Sequence, residues 1–392
     1  MKKRYMDHIA ATPLDPQVYE SMVPFFKEDF GNPQSLHFWG QKSNEALETA
    51  RLQVAHLINA EPEEIFFTSS GSESNNLAVK GLADAKRKQG NHILVSTIEH
   101  QSVLNSAKKL EKMGFQVDYI PVDKYGLIDL PYLKGAIKDK TILVSVMLAN
   151  SEVGTIEPIE EVVGICREKN VLVHTDAVAA VGSIGVDVKK LGVDALSLAG
   201  DQFYGPKGSA ALYIKKGIRL VPLIEGGIQE GGRRAGAENI PAIVGLGKAA
   251  ELAEKDMPKR MKKTMSVRDL LLKGLPEKIE HVVLTGHPDN RLPYHASFCV
   301  EFVEGESMLL NLDMLGIAVS SGSACTSKSL KASHVLIAMG LDHALAQSSL
   351  VFSLLDETSK EDIDYLLDVF PPVVERLRKM SPLYSQYLEE KQ

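Results

Sequence analysis

The amino-acid sequence predicts an α/β protein built on a mainly parallel β-sheet. Between residues 15 and 280, short runs rich in Val, Ile and Leu alternate with longer segments of helical periodicity. The short runs carry few charges, which is typical of strands that helices cover on both faces. Because the two kinds of segment alternate, we expect parallel strands joined by crossover helices.

Seven runs are predicted to form this sheet. In chain order they are Ile65–Thr68, His92–Ser96, Gln116–Pro121, Thr141–Met147, Val171–Thr175, Ala195–Leu198 and Ala210–Ile214. The helices predicted among them are Gln41–Ile58, Ser74–Lys88, Gln101–Met113 and Ile159–Lys169. We therefore expect residues 15–255 to form one large domain.

A smaller α+β domain is predicted for residues 1–14 together with 256–392. The charge density rises through Lys255–Lys273, which indicates a long amphipathic helix that leads into this domain. The runs that follow with strand or helix character are, in order, Ala296–Phe302, Ala318–Ser320 and Asp362–Met380.

The composition excludes several classes of protein. With 44 Lys and Arg against 51 Asp and Glu, the net charge is −7, so the basic surplus that holds a nucleic acid is missing. No apolar run reaches the roughly 18 residues of a membrane span. The basic start is interrupted by Asp7, His8 and Pro13, so we expect a cytoplasmic protein without a signal peptide. Three cysteines form no disulfide framework, no CxxC pair suggests zinc, and we expect no metal site.

Polar segments follow four of the predicted strands directly. They are Thr68–Asn75, Ile98–His100, Leu148–Gly154 and His174–Asp176. Ligands of open parallel sheets bind beyond the carboxyl ends of the strands, and a helix that opens on small residues suits a phosphate. Each segment alone can equally be a helix cap or a turn, but four at successive strand ends favour a binding site.

The order of motifs along the chain resembles the cysteine desulfurases of the NifS/IscS kind, a group of class V aminotransferases. The matching strings are Tyr5-Met-Asp7, Phe30-Gly-Asn-Pro33, Phe67-Thr-Ser69, Glu73-Ser-Asn-Asn76, Glu99-His100, Glu152-Val-Gly-Thr155, His174-Thr-Asp-Ala177, Tyr204-Gly-Pro-Lys-Gly208, Gly226-Gly227 with Arg234, and Ser320-Ser-Gly-Ser-Ala-Cys325-Thr-Ser327. The resemblance implies the fold of pyridoxal phosphate (PLP)-dependent transferases of fold type I. It also implies a homodimer, with residues 226–239 near the other subunit's site.

Four residues match cofactor-binding positions of this family. By resemblance, Ser72 would bind the PLP phosphate, His100 would stack on the ring, and Asp176 would pair with the pyridine nitrogen, while Asn150 matches a further site position. Three interpretations remain open for them: they hold strand ends together, they line a pocket for another small ligand, or they retain weak PLP binding.

Six positions depart from the family pattern. The family's Schiff-base lysine is Gln202, whose carboxamide is not a nucleophile and forms no imine. Lys207 matches a second, non-catalytic lysine and does not replace it. Contacts to the cofactor or substrate are changed at the other five positions, namely Ala179, Ala199, Asp201, Ala237 and Val351, of which Val351 stands for the arginine that grips the substrate carboxylate.

These departures predict that PLP is lost or weakly bound, so that no cofactor is expected. By resemblance, Ala199, Asp201 and Ala237 stand where the family has residues that contact the PLP phosphate. A hydrogen bond to a charged group contributes about 1.5–3 kcal/mol, so the loss of these three contacts costs roughly 4–9 kcal/mol, or about three to six decades of affinity. Asp201 would add repulsion against the phosphate.

Cys325 is the predicted catalytic residue. In the family this cysteine takes sulfur as a persulfide and carries it on a mobile loop to acceptors. Its whole string is intact here, and Lys328 and Lys331 favour the reactive thiolate. Cys166 and Cys299 lie in a predicted helix and strand, where ordinary buried thiols are expected.

The sequence therefore predicts a desulfurase-like protein that has lost PLP-dependent desulfuration and acts in sulfur transfer or iron–sulfur cluster assembly through Cys325. Its predicted partners are a second copy, an iron–sulfur scaffold, and a sulfur donor or acceptor protein. Two alternatives stay open. One is an active PLP enzyme with a rearranged site, and the other is a regulatory or structural partner of an active desulfurase.

Overall fold

The computed structural model describes residues 2–321 and 332–391. The strands are β1 (Arg4–Tyr5), β2 (Ile65–Thr68), β3 (His92–Ser96), β4 (Gln116–Ile120), β5 (Thr141–Ser145), β6 (Leu172–Asp176), β7 (Ala195–Ala199), β8 (Ala210–Ile214), β9 (Val282–Leu284), β10 (His295–Val300), β11 (Ile317–Ala318) and β12 (Ser349–Ser353). The helices are α1 (Pro16–Met22), α2 (Pro24–Lys27), α3 (Phe38–Leu57), α4 (Gly71–Lys86), α5 (Gln101–Lys112), α6 (Leu130–Ala136), α7 (Ile159–Arg167), α8 (Val188–Leu191), α9 (Ile240–Lys278), α10 (Gly305–Met314), α11 (His334–Ala338), α12 (His343–Gln347), α13 (Lys360–Lys379) and α14 (Pro382–Glu390).

The larger part of the described structure is built around a seven-stranded sheet. Its strand order is β2-β8-β7-β6-β5-β3-β4. The strands from β7 to β4 pair in parallel. Strand β8 is antiparallel to both of its neighbours, so β2 again points the same way as β7. The predicted mainly parallel α/β fold is therefore confirmed.

All strands of the large sheet except β4 are buried on both faces, which is why their sequences carry so few charges. Every residue of β2, β3, β5, β6, β7 and β8 is buried. The edge strand β4 is less buried: Gln116 is exposed, and Ile120 is its one buried residue. An edge position allows this exposure. All seven predicted strands are confirmed, with ends that differ by at most two residues.

A second, three-stranded sheet lies in the smaller part. Its antiparallel order is β12-β10-β9, and helix α13 packs its apolar side into the same core. The long helix α9 enters this part, but it begins at Ile240, well before the predicted start at Lys255. Because α9 runs across residues 255 and 256, the division into two domains at that point stays a prediction.

The first half of α9 packs closely on α3. A Cβ atom at Gly247 would lie 2.5 Å from the Cα atom of Ala50, so only glycine permits this approach of the two helices. The first half of α9 is rich in Gly and Ala, so its apolar and polar faces differ little. Hydrophobic periodicity alone therefore did not predict a helix there. Within residues 2–321 and 332–391, no helix has the length and apolar character that crossing a membrane requires.

A buried ion pair ties the glycine-rich segment near residue 230 to the edge of the large sheet. Arg51 of α3 donates from Nη1 and Nη2 to the two carboxylate oxygens of Glu230, each at 2.9 Å. Arg51 also donates to the carbonyl of Ile65 at 2.7 Å, and Glu230 accepts from the backbone N–H of Phe67 at 2.8 Å. Both charges therefore have several partners, which is what a buried pair requires.

Removing one partner of this pair should destabilise the fold strongly. We expect Arg51→Met to lower the free energy of unfolding by about 3–5 kcal/mol, because Glu230 is left charged and buried. The matched control is Lys189→Met, which breaks a pair with Glu61 whose side chains are both about half exposed, so we expect little change in the free energy of unfolding. Urea unfolding followed by circular dichroism measures both variants. Equal effects would contradict a stabilising role for the buried pair.

Candidate active-site cleft

A cleft of about 760 Å³ lies at the edge of the large sheet where the strands end. All strands except β8 point toward this edge, so the segments that follow β2, β3, β5, β6 and β7 meet there. Ser72, His100, Asn150 and Asp176 all line the cleft. The structure thus brings the four residues singled out from the sequence to one place.

The N-terminus of α4 forms one wall of the cleft. Ser70 caps the helix, and its Oγ accepts from the backbone N–H of Glu73 at 3.1 Å. A Cβ atom at Gly71 would lie 2.6 Å from a methyl carbon of Val178, so glycine is required for this close contact. The first N–H groups of a 16-residue helix and its dipole, beside the Ser72 hydroxyl, suit a phosphate.

Asp176 is the buried carboxylate of the cleft. It ends β6 with 5% of its surface exposed. Its Oδ2 accepts from Nδ2 of Asn75 at 2.6 Å, and its Oδ1 accepts from the backbone N–H of Val178 at 3.0 Å. Burial raises the pKa of Asp176, while the nearby charge of His100 opposes this rise. Such a carboxylate is stabilised by a ligand that brings a positive charge or an N–H donor.

His100 already has a structural task as the cap of α5. Its Nδ1 accepts from the backbone N–H of Ser102 at 3.1 Å and lies 2.7 Å from the hydroxyl of the same residue. The His100 side chain is half-buried and lines the cleft. The ring can therefore both cap the helix and stack on a planar ligand.

Asn150 holds a turn together. Its Oδ1 accepts from the N–H groups of Glu152 and Val153 at 2.8 and 3.0 Å. Its Nδ2 donates to the carbonyl of Ile98 at 3.0 Å. Because these bonds occupy most of the amide, the contacts favour the structural interpretation of Asn150 over ligand binding.

Five of the six positions that depart from the family pattern line the same cleft, namely Ala179, Ala199, Asp201, Gln202 and Val351. The sixth, Ala237, is exposed and does not line it. Lys207 is likewise exposed and outside the lining. Of the lysines that the structure describes, Lys108 on α5 is the one that reaches the cleft wall.

Gln202 stands at the base of the cleft, in the 3₁₀ turn Gly200–Gln202 that follows β7. Its side chain is 93% buried, with 7% exposed, and its Oε1 atom has no hydrogen-bond partner among the described residues. Burial raises the pKa of the adjacent Asp201, and Lys207 partly offsets this rise. No amine replaces the missing lysine at this point of the chain.

The sequence reasoning missed two ionisable residues of the wall. Burial raises the pKa of Glu152 to about 7, and its carboxylate accepts a hydrogen bond from the Ser333 hydroxyl. Burial lowers the pKa of His334, whose Nε2 lies 3.0 Å from the carbonyl oxygen of Glu99. Glu152 was part of the motif Glu152-Val-Gly-Thr155, but the motif did not indicate which way its side chain points. Its place in the wall of the cleft is visible only in the structure.

The predicted catalytic thiol, Cys325, lies outside the described residues. The other two cysteines are fully buried, as predicted. Burial raises the pKa of Cys166 and of Cys299 to about 12, so both thiols stay protonated and unreactive at neutral pH.

The fold and the cleft define an α/β protein of the PLP-dependent transferase type. The model of the family "Aminotransferase class-V" matches residues 4–366. The chain therefore belongs to the class V aminotransferases.

Several relatives are named as cysteine desulfurases. "Cysteine desulfurase IscS" of Clostridium botulinum strain Hall is 50% identical over 393 residues, covering 100% of this chain and 99% of that protein. The protein of the same name from Methanosarcina thermophila is 49% identical over 382 residues, covering 97% of this chain and 94% of its own length. Among solved structures, a "NifS-like protein" superposes with a TM-score of 0.90 at 37% identity, covering 96% of this chain and 100% of that chain.

This relationship corrects the cofactor expectation. The expectation that no cofactor is bound is wrong, because the class V family model matches residues 4–366, the chain is 50% identical to a cysteine desulfurase, and PLP is the cofactor that this membership implies. The count of lost phosphate contacts left out the residues that still line the cleft, namely Ser72, His100 and Asp176.

The described residues fit PLP in part. Asp176 would hold the ring nitrogen, the N-terminus of α4 with Ser72 would hold the phosphate, and His100 offers a face to the ring. The cleft is also large enough for a ligand of this size. Because position 202 carries a carboxamide, these residues would hold PLP without a covalent bond to that position.

Two isosteric variants test how the cleft holds PLP. Asp176→Asn should weaken PLP binding about tenfold or more, because the ring nitrogen loses its buried carboxylate. Asp201→Asn should strengthen binding, because it removes a carboxylate from the side of the cleft that the phosphate approaches. Equilibrium dialysis gives the Kd of both variants and of the native protein. Unchanged values in both would contradict this assignment of the cleft.

Proposed function

We propose that this chain is a sulfur-transfer protein of the cysteine desulfurase group that uses Cys325 to carry sulfur for iron–sulfur cluster assembly. One observation carries the proposal: the string around Cys325 is intact although Gln202 stands in the cleft where the family's lysine is expected. Selection that retains a thiol beside a changed cofactor site favours a role for the thiol itself. Thiolates also suit iron–sulfur centres as ligands.

The residues of the cleft support a restricted role for the cofactor. When bound, PLP supplies an electron sink for bonds of an amino compound. Asp176 and the start of α4 would orient it, but Gln202 has no amine with which to hold or move a proton at the reacting carbon. We therefore infer that desulfuration of cysteine by the native chain is slow, and that a donor protein carrying a persulfide supplies the sulfur: the Cys325 thiolate attacks the outer sulfur, and the donor's cysteine leaves as a thiolate.

The surface near α3 supports a homodimer. Residues 30–39 expose Phe30, Leu36, Phe38 and Trp39, with 69%, 90%, 67% and 49% of their surfaces accessible. An apolar patch of this kind is typical of a protein interface. We propose a second copy of the chain as its partner in the cytoplasm, with a scaffold or sulfur acceptor protein meeting the Cys325 segment.

Restoring the amine tests the role of position 202. We expect Gln202→Lys to form a covalent link to PLP that borohydride fixes and to release sulfide from cysteine about 10²-fold faster than the native protein, because it regains a proton-transfer group. Gln202→Met is the matched control, since it has similar length and no amine. Native release as fast as that of Gln202→Lys would contradict the proposal and favour a rearranged PLP enzyme.

Replacing the thiol tests the role of Cys325. We expect Cys325→Ser to abolish persulfide formation after incubation with a sulfur donor, measured by alkylation and mass spectrometry. Cys166→Ala is the control, because that thiol is buried and protonated. Full function of Cys325→Ser in a cluster-assembly assay would contradict the proposal and leave the regulatory alternative.

A further inference from the structure

The side-chain amide of Asn75 contacts both Asp176 and the helix that His100 caps. Asn75 lies near the start of α4, with 1% of its surface exposed, and it lines the cleft. Its Nδ2 atom carries two hydrogen atoms, and each has an acceptor. One bond goes to Oδ2 of Asp176 at 2.6 Å, and the other goes to Oγ of Ser102, in the first turn of α5, at 2.9 Å. A single amide group therefore connects the carboxylate after β6 to the first turn of α5.

The direction of this amide is set by Asp176. An ionised carboxylate accepts hydrogen bonds and cannot donate them, so the nitrogen of the amide must point to it. A flipped amide would lose the bond to Asp176 and would place two acceptors side by side. The remaining polar atom, Oδ1 of Asn75, is buried and has no hydrogen-bond partner among the described residues. The two N–H bonds are therefore kept although one buried oxygen stays unsatisfied, which costs free energy.

Ser102 passes this constraint on to His100. The Ser102 hydroxyl oxygen accepts from Asn75, so the single proton of the hydroxyl remains to be donated. The Nδ1 atom of His100 lies 2.7 Å from this hydroxyl, and it also accepts from the backbone N–H of Ser102 at 3.1 Å. A backbone N–H can only donate. Nδ1 of His100 is therefore the acceptor of two hydrogen bonds and carries no proton in this arrangement.

The hydrogen bonds at Nδ1 disfavour a positively charged ring. A charged imidazolium carries protons on both nitrogens, so its Nδ1 proton would meet the backbone N–H of Ser102, and that bond would be lost. Among the neighbouring charges, Asp176 favours the imidazolium, whereas a protonated His334 opposes it. Lys108 adds a further positive charge to the wall of the cleft. The neutral ring of His100, with its single proton on Nε2, is therefore the form that these contacts stabilise.

We propose that Asn75 is a positioning residue which, through the hydroxyl of Ser102, holds His100 in the neutral tautomer with its proton on Nε2. Held in this way, the imidazole does not act as a base, because Nε2 is protonated and Nδ1 already accepts two bonds. It would meet the PLP ring as an uncharged group, and the negative charge of Asp176 would stay available for the ring nitrogen. This role of Asn75 does not depend on the proposed sulfur transfer by Cys325.

Nitrogen-15 NMR of the histidine-labelled protein tests the tautomer without PLP. In the full chain at neutral pH, we expect the His100 ring to show an unprotonated Nδ1 and a protonated Nε2, and His100→Gln assigns the signals by their loss. Asn75→Asp should reverse the chain of bonds, because the new carboxylate accepts the Ser102 proton, and Nδ1 of His100 should then be protonated. Asn76→Asp is the matched control and should keep the native pattern, since Nδ2 of Asn76 donates within α4 to the carbonyl of Ser72 at 2.8 Å. A protonated Nδ1 in the native chain, or an unchanged pattern in Asn75→Asp, would overturn the proposal.

A second variant keeps the test decisive if Asn75→Asp does not fold. Ser102→Ala removes one of the two donors to Nδ1 and leaves Asn75 bonded to Asp176, so we expect the fraction of His100 rings protonated at Nδ1 to rise about fivefold. We also expect Ser102→Ala to weaken PLP binding about fivefold in equilibrium dialysis, because the imidazole is less firmly held. Ser106→Ala is the control and should leave both quantities unchanged, since the Ser106 hydroxyl donates to a backbone carbonyl, that of Ser102, at 2.7 Å. A native tautomer fraction or a native Kd in Ser102→Ala would overturn the proposal.

Discussion

The direction of the strands in the large sheet is the constraint on which the cleft depends. Because all strands except β8 point to one edge, the segments that follow them must meet there. The start of α4, the cap of α5 at His100, Asp176 after β6 and Gln202 after β7 are far apart in sequence, yet they share one cavity. The smaller part then closes this cavity with Val351 and the chain near Asp7.

In the cleft, the residues that would hold a cofactor lie beside Gln202, whose carboxamide forms no imine. Gln202 occupies the base of the cavity as a lysine would, but it contributes an acceptor that finds no donor. Around it, the alanines at 179 and 199 remove polar contacts without closing the space. The helix N-terminus and Asp176 are built by backbone and sheet geometry, so they persist when individual side chains change. This is why a sum over lost hydrogen bonds overstated the loss of the cofactor.

The surviving residues differ in how fully the fold uses them. The side-chain amide of Asn150 forms its hydrogen bonds within a turn and to the carbonyl of Ile98. These bonds give the residue a structural role that needs no ligand. His100 caps a helix with one nitrogen and also lines the cleft. Asp176 is different, because a carboxylate buried beside only two donors gains from a further positively charged partner. Of the four, it is the residue whose contacts argue most directly for a ligand.

The sequence by itself determined the strands of the large sheet, since uncharged, mostly apolar runs such as Ile65–Thr68 are typical of strands buried on both faces. It also determined the family, because the family lies in the order and identity of residues, whereas the departure at Gln202 stays a prediction. Tertiary structure decided the length of α9, whose Gly- and Ala-rich first half is helical through its packing on α3. It also decided which residues meet in the cleft. Asn75 contacts Ser102 and Asp176 across long stretches of chain, and no local periodicity encodes contacts between residues so far apart.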